Sequence, residues 1–145
     1  MRTIKFRAMR NNGKWVIGNY VHHFISYFDT IERHSIFLSK SENENGGHWV
    51  EDIITKTIGQ FTGLYDKDGK EIYEGDILKW SKGRLYVVKF LDGMFYASVE
   101  ECNEGILGGF PLHRLTEYED EKCEIVGNIF DNPELLKGGA NEEVE

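Results

Sequence analysis

Between Gly59 and Val99 the chain meets a turn signal every few residues: Asp68-Gly69, Gly75-Asp76, Lys82-Gly83 and Asp92-Gly93. Such pairs reverse a chain tightly because glycine reaches positive φ without a steric penalty. The runs between them, Ile77 to Trp80, Leu85 to Leu91 and Met94 to Val99, are short and rich in β-branched and aromatic residues. Segments of that length and composition make strands rather than stable helices. A sequence punctuated in this way is confined to antiparallel hairpins.

The rest of the chain follows suit. Ile4, Phe6 and Ala8 alternate with Lys5 and Arg7, the period of a half-buried strand, and Asn11-Asn12-Gly13 turns the chain back into Trp15 to Val21. From His22 to Leu38 the composition favours strands, although the spacing alone leaves room for one helical turn. Residues 39–48 are polar and turn-rich and predict a mobile loop, after which Trp49 to Ile58 reads as strand again. Pro111 to Tyr118 and Cys123 to Phe130 read as two further strands, with Gly127 marking a bulge or a close approach. Asn132-Pro133-Glu134 fits a cap followed by one helical turn, and residues 138–145 form an acidic tail expected to be disordered.

The expected fold is therefore all-β and mainly antiparallel. Residues 1–74 form an N-terminal β-rich lobe, and 75–137 form an SH3-like small barrel ending in a short helical turn. An OB-like barrel is the alternative. Forty per cent apolar residues, with nine Phe, seven Tyr and three Trp, suffice for a real interior. Against 25 acidic side chains stand 17 basic ones, which argues against a general nucleic-acid coat and against anionic membranes. The first residues carry no apolar leader and no run reaches the roughly 18 apolar residues of a membrane helix. The expectation is a cytoplasmic protein with Cys102 and Cys123 reduced.

Chemistry-bearing patterns fail one by one. Asp66, Asp68 and Glu71 beside Gly69 suggest a calcium loop, but Lys70 stands where the fifth position needs an oxygen ligand. Of Glu71, Glu74 and Asp76, the last two would share one strand face, but no His, Asn or third acid joins them at a suitable spacing. His22, His23, His34, His48 and His113 are scattered, and adjacent His22 and His23 point to opposite strand faces, so no zinc spacing appears. No P-loop, nucleophile elbow or Rossmann glycine pattern is present. The chain reads as a non-enzyme without cofactor or metal. An enzyme would require His and acidic side chains to converge only in space.

The stretch Q-F-T-G-L-Y-D-K-D-G-K-E-I-Y-E-G-D-I, Gln60 to Ile77, resembles the YopX family of phage and prophage proteins. Ile4-Lys5-Phe6-Arg7-Ala8 with Gly13-Lys14-Trp15, and Ile125 to Leu136, are similar to the family's two ends. The resemblance implies an all-β protein with an SH3-like barrel, encoded by temperate phage or mobile elements, and supplies no activity to transfer. The motif residues Gln60, Thr62, Gly63, Asp68, Gly69, Glu74, Gly75 and Asp76 read as structural, with Asp76 accepting turn amides.

The functional expectation is a protein-interaction or self-assembling module, a homo-oligomer or the partner of a host or phage protein. Its candidate face comprises Trp80, Lys82, Arg84, Tyr86 and Tyr96, with Tyr86 and Tyr96 as anchors in facing strands of one hairpin. The alternative is a nucleic-acid-binding regulator that uses Lys79, Lys82, Arg84 and Lys89 beside Trp80 and Tyr86.

Overall fold

The structure, a computed structural model, describes residues 1–26, 30–38, 47–99 and 109–137. Most of the loop expected over 39–48 and the whole of the tail expected over 138–145 lie outside those residues, as does Cys102. The chain divides into two compact units, Met1–Phe61 and Thr62–Glu145. The junction falls at 61/62 rather than at the expected 74/75. Leu64 and Ile72 join the hydrophobic cluster of the second unit, and this draws the motif stretch into it.

In the first unit, β1 (Phe6–Arg10) and β2 (Trp15–Ser26) form the expected hairpin, with Ala8 opposite Val16. Its turn closes with the Gly13 N–H donating to the Arg10 carbonyl at 2.9 Å, Gly13 standing at φ +82°. β3 (Thr30–Leu38) pairs with β2, and β4 (His48–Val50) pairs with the far end of β3. The residues of 22–38 that are described are thus strand, with no helical turn among them. The strand expected over 49–58 is broken at Glu51-Asp52, and β5 (Ile53–Tyr65) starts anew to pair with β1. That break has a physical cause. The Arg10 guanidinium holds the Asp52 carboxylate at 3.0–3.1 Å and depresses its pKa, while the Asp52 carbonyl accepts from the Asn11 N–H.

The pairing of β1 with β5 slips between Arg7 and Met9. Buried Thr57 fills the irregularity, its hydroxyl accepting from the Met9 N–H at 2.8 Å and donating to the Ile54 carbonyl at 2.6 Å. Ala8, Ile36, Val50 and Ile53 form the core on one face of the sheet, flanked by Phe6, Val16, Tyr20, Leu38 and Ile58.

In the second unit, the end of β5 turns at Asp68-Gly69 into β6 (Glu71–Tyr73). A five-stranded antiparallel sheet follows, built from β7 (Asp76–Trp80), β8 (Arg84–Leu91), β9 (Met94–Ser98), β10 (Gly109–Pro111) and β11 (Glu124–Asn128). Its order is β10-β9-β8-β7-β11. The all-β antiparallel expectation holds, but the sheet is open and does not close into a barrel: among the described residues the outermost strands β10 and β11 do not pair. The reason lies in 111–118, read from the sequence as a strand. Only Pro111 ends one, and Leu112–Leu115 is a 3-10 helix. Side chains three apart eclipse one another in such a helix, so Leu112 and Leu115 both enter the core and take the place of a further barrel wall.

That core comprises Ile72, Leu78, Tyr86, Val88, Ala97, Leu112, Leu115 and Cys123. The bulge expected at Gly127 is present, since the register between β11 and β7 shifts between Ile125 and Gly127. A Cβ at Gly127 would meet the Asn132 side-chain oxygen at 2.5 Å, and that side chain accepts from the Asn128 N–H. A single turn, α1 (Glu134–Lys137), follows.

Asp66, an acid in the failed calcium pattern, is not a solvated turn residue. It is only 3% exposed. One carboxylate oxygen accepts from the N–H groups of Asp68 and Lys70, both at 2.9 Å, and the other from the N–H of Ile125 at 3.1 Å. Removing an acceptor from buried amides leaves each amide to bear its own desolvation penalty. Asp66→Ala should lower stability by about 3 kcal/mol in urea unfolding followed by circular dichroism. Asp68→Ala, at an exposed position of the same turn, should lower it by under about 0.5 kcal/mol. Equal effects would deny Asp66 its anchoring part.

Candidate functional site

The side chains expected to share one face of the second unit are divided by the sheet. Leu78 stands opposite Tyr86, and Val88 opposite Ala97, so Tyr86 lies on the core face, where it is 5% exposed. Tyr96 pairs with Lys89, one residue out of phase, and so belongs to the opposite face. The two tyrosines occupy facing strands without facing the same way. Trp80 joins the core face: its ring lies 6.2 Å from Tyr86 and 5.7 Å from Phe110, and its indole N–H donates to the Glu121 carbonyl at 2.5 Å. Lys82 and Arg84 are exposed at the turn between β7 and β8, Lys82 at φ +61°. The expected face is therefore divided: Tyr86 is buried, with half-buried Trp80 and Phe110 against it, while Lys82 and Arg84 are exposed and Tyr96 belongs to the other side of the sheet.

The motif residues make turns. The Thr62 hydroxyl donates to the Ile72 carbonyl at 2.8 Å and accepts from the Leu64 N–H, while Gly63, Gly69 and Gly75 all take positive φ. Gln60 stands opposite Phe6 in the ladder between β5 and β1. Buried Asp76 accepts from the Tyr73 N–H at 2.8 Å across half-buried Glu74, and exposed Asp68 lies at the turn that Asp66 holds. Gly75 donates to the Val88 carbonyl and accepts from Ile129, joining the start of β7 to the segment after β11.

Side chains that the sequence left scattered meet in the first unit. β2 runs well beyond β1, whose register ends with Phe6 opposite Gly18. β4 pairs only with Ile36, Phe37 and Leu38. Among the described residues, the β2 segment from Val21 to Ser26 and the β3 segment from Thr30 to Ser35 therefore have only each other as ladder partners. They form a two-stranded arm. On one face of it His22 stands directly opposite His34, their rings stacked 4.6 Å apart at 5°, and Phe24 stands opposite Glu32.

One Glu32 oxygen (Oε1) lies 2.7 Å from His22 Nε2 and 3.2 Å from His34 Nε2. The ligand atoms of all three lie within 4.8 Å of one another. Tyr20, next along the same face, places its hydroxyl 2.7 Å from His34 Nδ1. Burial, and secondly the Glu32 charge, raises the Tyr20 pKa and keeps the phenol protonated. His23, one residue away, faces the other side near Trp49. The metal-free expectation from sequence missed this cluster because the hairpin register, not linear spacing, brings His22 to the Glu32-x-His34 pair. That pair on one strand face was the visible half of the signal.

The fold defines the class first: an all-β protein of antiparallel sheets in two units. Residues 5–137 match the YopX family, described as "YopX protein", and the chain belongs to that family. A solved structure similar in fold is protein EF1440 from Enterococcus faecalis, 23% identical over 94% of this chain and 99% of that one, with a TM-score of 0.56. No curated protein matches the chain.

Cys123 offers no nucleophile to either unit's chemistry. Burial, reinforced by the Asp66 charge, pushes its thiol up to about 11. Thiol labelling of the native protein near neutral pH, read by peptide mass spectrometry, should leave Cys123 unmodified until denaturant is added. Rapid native modification there would contradict this packing.

Proposed function

We propose that this chain is a non-enzymatic interaction module of phage or prophage origin, working in the bacterial cytoplasm, that self-associates through the β2–β3 arm. The carrying observation is the arm itself. An isolated two-stranded ribbon is marginal in water, and unpaired strand edges are templates for another strand. This arm bears large apolar side chains on both faces, with Phe24 61% exposed on one, and Ile25 and Ile31 opposite each other on the other at 36% and 48%. Strand addition from a second copy would satisfy the open edge and cover those side chains, and a two-fold pairing of like edges closes such an assembly. No helix among the described residues is long and apolar enough to cross a membrane.

Phe90, Leu91 and Met94 expose a second apolar patch at the tip of the β8–β9 hairpin, but their strands already have ladder partners. The nucleic-acid alternative loses its stacking platform, because Tyr86 is buried and Trp80 is engaged by Tyr86, Phe110 and Glu121.

Light scattering coupled to size exclusion should show the full chain as a dimer or higher oligomer at tens of micromolar. Ile25→Lys with Ile31→Glu should give monomer with an unchanged circular dichroism spectrum. A strictly monomeric wild-type protein would overturn self-association. If a specific host or phage protein were then captured through the arm, the interaction module would stand with a different occupant.

A further inference from the structure

We propose that His22, Glu32 and His34 constitute a binding site for a divalent transition-metal ion on the β2–β3 arm, with Tyr20 as its positioning residue. The donor set narrows the ion. Two imidazoles and a carboxylate suit zinc and its neighbours, whereas calcium and magnesium take oxygen ligands and soft copper(I) prefers sulfur.

The geometry is close to what such an ion needs. With metal–ligand bonds of about 2.0–2.2 Å, tetrahedral ligand atoms sit roughly 3.4 Å apart. The Glu32 oxygen already lies 2.7 and 3.2 Å from the two Nε2 atoms. The stacked rings hold both imidazoles on one side of the ribbon, and the carboxylate between them belongs to a side chain 55% exposed. Because the two rings lie nearly parallel, at 5°, the imidazoles must turn about their side-chain bonds for both in-plane Nε2 lone pairs to meet one ion. Without a metal, at least one Nε2 must carry a proton to share the carboxylate oxygen, so metal and proton compete for one place.

The surroundings complete the argument. Metal-bound histidines characteristically use the other ring nitrogen to bond a fixed partner, which sets tautomer and ring orientation. Here the Tyr20 hydroxyl meets His34 Nδ1 at 2.7 Å, and half-buried Tyr20 packs against Phe6 at the flank of the core. With Nδ1–H donating to Tyr20, the Nε2 lone pair is directed to the site. Three protein ligands leave one tetrahedral position open to water or to an incoming group. The site belongs to the arm but does not depend on the arm's self-association.

The test uses tag-free full-length protein, stripped with chelator and titrated with Zn2+ by calorimetry near neutral pH. Co2+ absorption serves as the coordination readout. One zinc per chain is expected, with affinity falling on acidification. His22→Gln and His34→Gln should each weaken binding by about 100-fold or more, and Tyr20→Phe by about tenfold. His23→Ala and His113→Ala should leave it unchanged. Circular dichroism and thermal unfolding establish that each variant is folded. Absence of binding up to about 1 mM Zn2+ overturns the site. So does binding that survives the combined His22 and His34 substitutions, or that is lost equally in His23→Ala. None of these results would alter the oligomer measurement, so failure of the metal site and failure of the self-association reading are separable.

Discussion

Burying a carboxylate is costly unless its oxygens are met by donors, and Asp66 meets three backbone amides from two separate parts of the chain. Two of them shape the turn between β5 and β6. The third belongs to Ile125 in β11, 59 residues away. The neighbouring backbone repeats the link, because the Lys67 N–H donates to the Cys123 carbonyl and the Lys67 ammonium lies 3.1 Å from Glu124. Cys123 in turn donates to Leu115, fixing the 3-10 segment that fills the core. The family motif is thus the clasp of the second unit: its buried acids Asp66 and Asp76 accept backbone amides, and its glycines at positive φ shape the turns.

The first unit spends its sequence differently. Its core sits at the base of the sheet, where Ala8, Ile36, Val50 and Ile53 pack together. The arm beyond that base keeps aromatic, aliphatic, imidazole and carboxylate groups at the surface, on a ribbon whose outer edges have no ladder partner among the described residues. Side chains that neither build a core nor close a turn are the ones available for recognition. On the proposed reading the arm serves recognition, while the motif serves the fold of the second unit.

Local signals were legible in the sequence. Asn11-Asn12-Gly13, Asp68-Gly69 and Asp92-Gly93 announced their hairpins, and the all-β class followed from them. What escaped depends on register and on tertiary packing. Period-2 alternation places Tyr86 and Tyr96 on strands, but only the pairing of Lys89 with Tyr96 shows that they face opposite ways. Pro111-Leu112-His113-Arg114-Leu115 is apolar enough for a strand, and only the core it fills makes it a 3-10 helix with both leucines inward. Asp66 resembles any acid in a polar turn until the distant Ile125 amide arrives. The meeting of His22 with His34 is again a matter of register, set by the alignment of Tyr20 with Ile36 at the base of the arm.

Native-state hydrogen exchange across a range of protein concentrations tests this division of labour most directly, since local opening and global unfolding leave different signatures. The amides of Asp68, Lys70 and Ile125 should exchange slowly and independently of concentration, because their acceptor lies within the same chain. Amides along Val21–Ser26 and Thr30–Ser35 should be weakly protected in dilute protein and gain protection as concentration rises. Arm amides that are equally and strongly protected at every concentration would contradict the account, and would make the arm a finished part of the monomer.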